Sequence, residues 1–178
     1  MRFSAGTILF ALLIVCLVVP LKLYYGAAAE PTPDEPIWLL APTAKFLNLS
    51  LPGLDFRFVA GTGYVSADGR LVLDRGCSGL NFFVICLLLG GVSPLLSEVR
   101  RWRLLRVGLV VLLAALPFTV FANVSRVLAL LVFARLVPQV LHPGVLHLAV
   151  GTFVYLIFLL LFSSLLRLTT RAAKLSSE

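Results

Sequence analysis

The stretch LLRVGLVVLLAALPFTVFA, residues 104–122, decides the fold of this chain. Beyond Arg106 it is almost entirely apolar, and as a helix it is long enough to cross the roughly 30 Å hydrocarbon layer of a bilayer. Two further stretches of the same kind occupy residues 3–25 and 145–166, the latter rich in Leu and Phe. These three stretches predict transmembrane helices.

The composition of the whole chain agrees with a membrane protein. Of its 178 residues, 60% are hydrophobic and 13% are charged, whereas a soluble domain has about 25% charged residues. A soluble domain and a disordered chain are therefore excluded as classes. The net charge of +7 suggests contact with anionic lipid head groups, because the basic residues flank the apolar stretches, and we expect no nucleic acid partner.

Two weaker apolar stretches complete the predicted bundle. Residues 80–96 are just long enough to span, whereas residues 127–141 are too short and carry Arg135 and Pro138. We interpret the second stretch as a re-entrant or interfacial helix. The predicted fold class is an all-α polytopic membrane protein with about four transmembrane helices, one re-entrant or interfacial helix and a small extracytoplasmic β-hairpin.

Charge gives the predicted orientation. Residues 98–106 contain four arginines against one glutamate, and the tail after residue 166 is basic, so both belong in the cytoplasm. Residues 26–76 contain six acidic and four basic residues and are therefore expected on the extracytoplasmic side of the inner membrane. The first apolar stretch is interpreted as an anchor; the alternative is a cleaved signal peptide.

The outer segment has two parts. Residues 27–42 contain four prolines and predict an extended linker, and residues 55–74 predict the β-hairpin, with a turn at residues 67–69. The chain is therefore expected to divide into an N-terminal anchor (1–25), an extracytoplasmic linker and hairpin (26–76), a transmembrane bundle (77–166) and a cytoplasmic tail (167–178).

One of the three cysteines stands apart from the others. Cys16 and Cys86 lie inside apolar stretches and are interpreted as small hydrophobic residues. Cys77 lies between Gly76 and Ser78-Gly79 at the outer mouth of a predicted helix. If that helix begins at Leu80, its dipole is expected to lower the thiol pKa. The alternative is a simple entry turn in which Ser78 caps the helix.

Two more polar residues belong to the same membrane face. Arg126 follows one predicted span and His147 opens another. Provided that residues 127–141 do not cross, the predicted topology places both, with Cys77, at helix mouths in the outer leaflet. A thiol, an imidazole and a guanidinium are the parts of a cysteine acyl-transfer site. Cys77 is the candidate nucleophile, His147 the acid and base, and Arg126 the group that stabilises the oxyanion or substrate.

At these residues the sequence resembles the exosortase/archaeosortase family. The resemblance lies in Cys77-Ser78-Gly79, in Asn123-Val124-Ser125-Arg126 and in His147-Leu148-Ala149-Val150-Gly151, within about residues 54–166, and the short length is similar to the minimal branch called exosortase K. It implies a membrane-embedded cysteine transpeptidase or protease in the inner membrane that cleaves C-terminal sorting signals of exported proteins at the extracytoplasmic face. The implied partners are the bilayer and membrane proteins with a tripartite sorting tail.

The chain departs from the family in two respects. Typical members have about eight spans, and no carboxylate is evident that would orient His147. Asn123 and Asn81 are candidates for that role, and Ser78 is a further candidate for binding or orienting substrate. The sequence leaves open the substrate motif, the acceptor and the oligomeric state.

Two other functions remain open. Gly76-Cys77-Ser78-Gly79 also reads as the motif of a rhomboid-like serine protease with Ser78 as nucleophile and His147 as base. The chain could instead be a non-enzymatic scaffold of an exopolysaccharide or export system. No metal is expected, because the chain lacks CxxC and HxxxH spacings, and no cofactor is expected, because no glycine-rich phosphate loop follows a strand.

Overall fold

The computed structural model describes residues 5–27, 37–92, 101–136 and 143–175. Within these ranges the chain forms a mostly helical structure with a small sheet and one turn of 3-10 helix at Arg75–Cys77. The helices are α1 (Ala5–Ala27), α2 (Ile37–Ser50), α3 (Leu80–Val92), α4 (Arg101–Leu136) and α5 (Pro143–Leu175).

Two of these helices contain segments that can cross a membrane. Gly108–Leu136 in α4 and Gly144–Thr169 in α5 are both long and apolar enough, and shorter apolar helices occupy Leu12–Leu23 and Leu80–Gly91. Large apolar side chains project outward from α5, with Leu148 exposed by 70%, as expected of a surface that faces lipid tails. The helical class is confirmed, and the number of spans stays a prediction.

The prediction of a separate interfacial helix over residues 127–141 is wrong for its described part. Helix α4 continues through Asn123 and Arg126 to Leu136 without interruption. The polar side chains do not break it, because both find hydrogen-bond partners outside the helix. Arg126 therefore lies inside α4, and the prediction that it lies at a helix mouth is wrong. Residues 137–141 lie outside the described residues.

The predicted extended linker is wrong over residues 37–42, where α2 begins. The prediction followed the four prolines of this segment. Leu40, Ala44 and Leu47, however, recur at the helical intervals of four and three residues, and all three are buried. Pro42 lies inside the helix, so the helix tolerates the loss of one backbone hydrogen bond there. Residues 28–36 of the linker lie outside the described residues.

The predicted hairpin is a three-stranded antiparallel sheet. Its strands are β1 (Arg57–Val59), β2 (Gly63–Val65) and β3 (Val72–Leu73), in the order β1-β2-β3. The turn predicted at residues 67–69 joins β2 to β3, and Gly69 there has φ +69°, a left-handed conformation that glycine adopts without strain. The predicted hairpin was thus one strand short of this sheet, and its extracytoplasmic location stays a prediction.

The described residues fall into two compact units. The first unit contains α1, most of α3, the part of α4 up to Phe118 and the part of α5 from Leu159. In it, the glycines at positions 90 and 91 of α3 allow close packing, because a methyl group there would meet Val111 and Ile14. The division into anchor, linker, bundle and tail stays a prediction.

The second unit contains α2, the sheet, the turn that carries Cys77, residues 119–136 of α4 and residues 143–158 of α5. Its core joins buried apolar side chains of α2, the sheet region and α4, and Cys77 packs against this core. The buried members are Leu40, Ala44, Leu47, Phe56, Leu73, Val120, Val124 and Val127. The candidate catalytic residues Cys77, Arg126 and His147 all lie in this second unit.

Candidate active site

The turn that carries Cys77 is built by short polar contacts. The backbone N–H of Cys77 donates to the carbonyl of Asp74 at 3.0 Å, which closes the 3-10 turn, and also to Oδ1 of the Asp74 side chain at 3.1 Å. Gly79 has φ +73° and turns the chain into α3. The hydroxyl of Ser78 accepts from the N–H of Leu80 at 3.3 Å, so Ser78 caps α3 at the predicted start.

The expected lowering of the Cys77 pKa is wrong. Burial against the apolar core raises the pKa of this thiol and is the largest influence on it. The Asp74 carboxylate acts in the same direction, while the positive charge of Arg126 opposes both. The net direction is upward, so Cys77 is a protonated thiol near neutral pH in the resting site.

Helix α4 supplies the wall against which this turn packs. Thr119, Asn123 and Arg126 follow one another at intervals of four and three residues, and all three are buried. The amide nitrogen Nδ2 of Asn123 donates to the backbone carbonyl of Cys77. A side chain at Gly79 would be crowded, because its Cβ would lie 3.1 Å from Thr119 Cγ2.

Helix α5 supplies a cradle for the Arg126 side chain. His147, Gly151 and Tyr155 are spaced by four residues and so share one helix face. Nη2 of Arg126 bonds to Nε2 of His147, and Nη1 donates to the Tyr155 hydroxyl at 3.1 Å. Its guanidinium carbon lies 5.4 Å from the centre of the Tyr155 ring, and Nε of Arg126 passes over Gly151.

A continuous chain of hydrogen bonds joins these parts. The Tyr155 hydroxyl donates to Oδ1 of Asn123 at 2.9 Å, so the path runs from the Cys77 carbonyl through Asn123, Tyr155 and Arg126 to His147. The structure thus brings together the three residues that the sequence proposes as catalytic. Arg126, and not Asn123, is the residue that bonds to the His147 ring.

The contact between Arg126 and His147 assigns the proton of the imidazole. A guanidinium carries only donors, so Nε2 of His147 must accept, and a neutral ring then carries its proton on Nδ1. The resting site therefore combines a neutral thiol and a neutral imidazole with the fixed positive charge of Arg126.

The charge of Arg126 is buried, with 8% of the residue exposed. Within the described part of the chain, no carboxylate pairs with it, and a phenol, an imidazole and an aromatic face surround it instead. In the same part of the chain its Nε is buried without a hydrogen-bond partner. Such a charge at membrane depth is costly, and the cation–π contact with Tyr155 offsets part of that cost.

The structure assigns different surroundings to the remaining predicted residues. Asn81 belongs to the first unit, where its Oδ1 accepts a hydrogen bond from Lys22. Ser78 is buried and uses its hydroxyl to cap α3. No orienting or binding role is assigned to either residue by these contacts.

Sequence reasoning missed two residues of this site. Tyr155 was not singled out among the aromatic residues of α5, although it continues the four-residue spacing of His147 and Gly151. Asp74 was counted only as an acidic residue of the outer segment, although an Asp three residues before Cys77 is a common capping arrangement for a short turn.

Comparison with known protein families matches residues 3–164 of the chain to the family described as transmembrane exosortase (Exosortase_EpsH). The matched range includes all the residues of the candidate site. Comparison with curated proteins and with solved structures finds no match.

Proposed function

The chain belongs to the transmembrane exosortase family, and on that premise we propose that it is a membrane-embedded cysteine transpeptidase or protease. Its substrates are exported membrane proteins with a C-terminal tripartite sorting tail, cleaved at the extracytoplasmic face of the inner membrane. The observation that carries this proposal is the hydrogen-bond chain that connects the Cys77 turn to Arg126 and His147 within one compact unit.

The proposed reaction begins when a substrate peptide enters the site. Its carbonyl oxygen competes with His147 for the Arg126 guanidinium, and Nε2 of His147 is then free to take the Sγ proton of Cys77. The resulting thiolate attacks the carbonyl carbon, and Arg126 stabilises the negative oxygen. His147 then returns its proton to the departing amide nitrogen, the C–N bond breaks and a thioester with Cys77 remains.

The second half of the proposed reaction resolves the thioester. An amine or water gives a proton to His147 as it attacks the carbonyl carbon. The C–S bond breaks, the proton returns to Sγ, and the resting thiol is restored. The raised pKa of Cys77 suits this scheme, because a thiol that stays protonated without substrate is protected from oxidation and unwanted acylation.

The proposal is tested in membranes that contain the full chain and a tail-bearing membrane protein. Wild type is expected to shorten the substrate, while Cys77→Ala abolishes shortening, and Arg126→Gln or His147→Ala reduces it at least a hundredfold. Cys86→Ala is the matched control, because its thiol lies outside the site unit, and it is expected to process normally.

The same assay separates the competing functions. Processing that survives Cys77→Ala and stops in Ser78→Ala contradicts the cysteine mechanism and supports a rhomboid-like serine protease. Normal export with no cleavage of any tail-bearing protein contradicts enzymatic function and supports a scaffold.

A further inference from the structure

We propose that Tyr155 is a positioning residue of this site, whose hydroxyl locks the Arg126 guanidinium to the Asn123 side chain that holds the Cys77 turn. The proposal deepens the proposed function and rests on it for the catalytic consequence. The positioning itself rests on geometry alone.

The Tyr155 hydroxyl uses both of its hydrogen-bonding capacities within the site. It accepts from Nη1 of Arg126 at 3.1 Å and donates to Oδ1 of Asn123 at 2.9 Å. A phenol can do both at once because it carries one proton and free lone pairs. The hydroxyl is thus the atom through which the guanidinium and the carboxamide are joined.

Asn123 passes this constraint to the nucleophile's turn. It is 1% exposed, so few alternative partners are available to its carboxamide. The bond to Tyr155 fixes which end of the carboxamide is oxygen, and Nδ2 therefore points to the Cys77 carbonyl. Removal of the hydroxyl leaves Asn123 Oδ1 without this donor and frees the carboxamide to rotate.

The aromatic ring of Tyr155 has a separate role from its hydroxyl. It lies 5.4 Å from the guanidinium carbon and helps to hold the charge in an apolar environment. Tyr155→Phe keeps this ring and nearly all of the side-chain volume. The substitution therefore isolates the contribution of the two hydrogen bonds from that of packing.

The first test uses the rate at which iodoacetamide alkylates Cys77 as a function of pH, and it needs no substrate. The full chain is kept in membranes, and the Cys77 peptide is quantified by mass spectrometry. The positive charge of Arg126 lowers the pKa of Cys77. A less firmly held guanidinium in Tyr155→Phe is therefore expected to move the alkylation midpoint upward.

The matched control is Tyr64→Phe, which removes a phenol hydroxyl from strand β2 of the same unit, a hydroxyl that takes no part in the hydrogen bonds that join Cys77 to His147. It is expected to keep the wild-type midpoint. A double-mutant comparison adds a second check: in an Arg126→Met background, Tyr155→Phe is expected to leave the alkylation midpoint unchanged, because the charge through which the hydroxyl affects that midpoint is then absent.

The second test is catalytic. Loss of a hydrogen bond to a charged group is expected to lower the processing rate at saturating substrate about tenfold in Tyr155→Phe, with little change in KM. The melting temperatures of wild type and Tyr155→Phe are measured in parallel, and the processing rates of the two proteins are compared well below both melting temperatures.

The outcomes are distinguishable. A Tyr155→Phe variant with the wild-type alkylation midpoint overturns the proposal, even if the variant melts earlier, because the residue is then merely structural. A shifted midpoint that depends on Arg126 supports it, and does so even if wild type processes no tail-bearing protein, a result that overturns the proposed function alone.

Discussion

Gly151 offers the sharpest test of how tightly Arg126 is held. A Cβ built at Gly151 lies 2.9 Å from Nε of Arg126, whereas ordinary contacts begin at 3.4 Å and extend to 4 Å. Gly151→Ala must therefore displace the guanidinium by about 0.5–1 Å, and misplacement of a catalytic group by about 1 Å can cost about 10²-fold in rate. We expect a loss of that order in processing.

The same substitution is not expected to unfold the protein. Alanine favours a helix interior over glycine by about 1 kcal/mol, so α5 itself gains stability while the site is disturbed. The assay is the processing rate of a tail-bearing membrane protein at saturating substrate, with the melting temperature measured in parallel. Loss of activity at an unchanged melting temperature separates misplacement from unfolding.

Gly91→Ala is the matched control for this prediction. It makes the same change in an apolar helix, but its methyl group meets chiefly the flexible end of Ile14, which can rotate away. It is expected to process within a few-fold of wild type. A wild-type processing rate in Gly151→Ala would refute the reasoning. The Arg126 guanidinium would then not be held tightly against Gly151 by its bonds to His147 and Tyr155.

Four further predictions concern Cys77 and its neighbours. Wild-type Cys77 is expected to be alkylated with a midpoint above the ordinary thiol value of 9.0, because burial raises its pKa. Asp74→Asn is expected to speed alkylation of Cys77 at about pH 7.5, because the carboxylate raises the pKa of the thiol. Arg126→Gln is expected to slow it, because the guanidinium lowers that pKa. A change of the alkylation rate in the same direction in both variants would contradict these charge effects. Asn123→Leu is expected to reduce the free energy of unfolding by about 1–3 kcal/mol in a denaturant titration, because the Cys77 carbonyl and the Tyr155 hydroxyl lose their partner. A membrane-impermeant maleimide added to intact cells is expected to label Cys77, and labelling only after permeabilisation would contradict the proposed orientation.

The features of the fold that depend on local pattern were predictable. The start of α3 at Leu80 follows from Gly-Cys-Ser-Gly, and the turn at residues 67–69 from its Asp-Gly pair. Helix α2 was missed because prolines were read as breakers, although Pro42 is accommodated inside it. The continuity of α4 was missed because the cost of a buried Arg126 depends on partners from α5 that its own sequence does not reveal.

The site was predictable to the extent that topology governs it. The predicted topology grouped Cys77, Arg126 and His147 on one face without side-chain geometry, although Arg126 lies inside α4 and not at a helix mouth. The state of the thiol was not predictable, because it depends on how deeply Cys77 packs against the core. The role of Tyr155 was not predictable from the sequence, because an aromatic residue in an apolar helix is ordinarily interpreted as facing lipid or packing in the core.

The most direct measurement of the central claim is the mass of the Cys77 peptide after brief exposure of the full chain to a tail-bearing membrane protein. The account predicts an acyl adduct on Cys77 that hydroxylamine removes, that is absent in His147→Ala, and that disappears as cleaved product forms. Cleaved product without any adduct on Cys77 at any time would contradict the claim that this sulfur, with Arg126 and His147, forms the catalytic site.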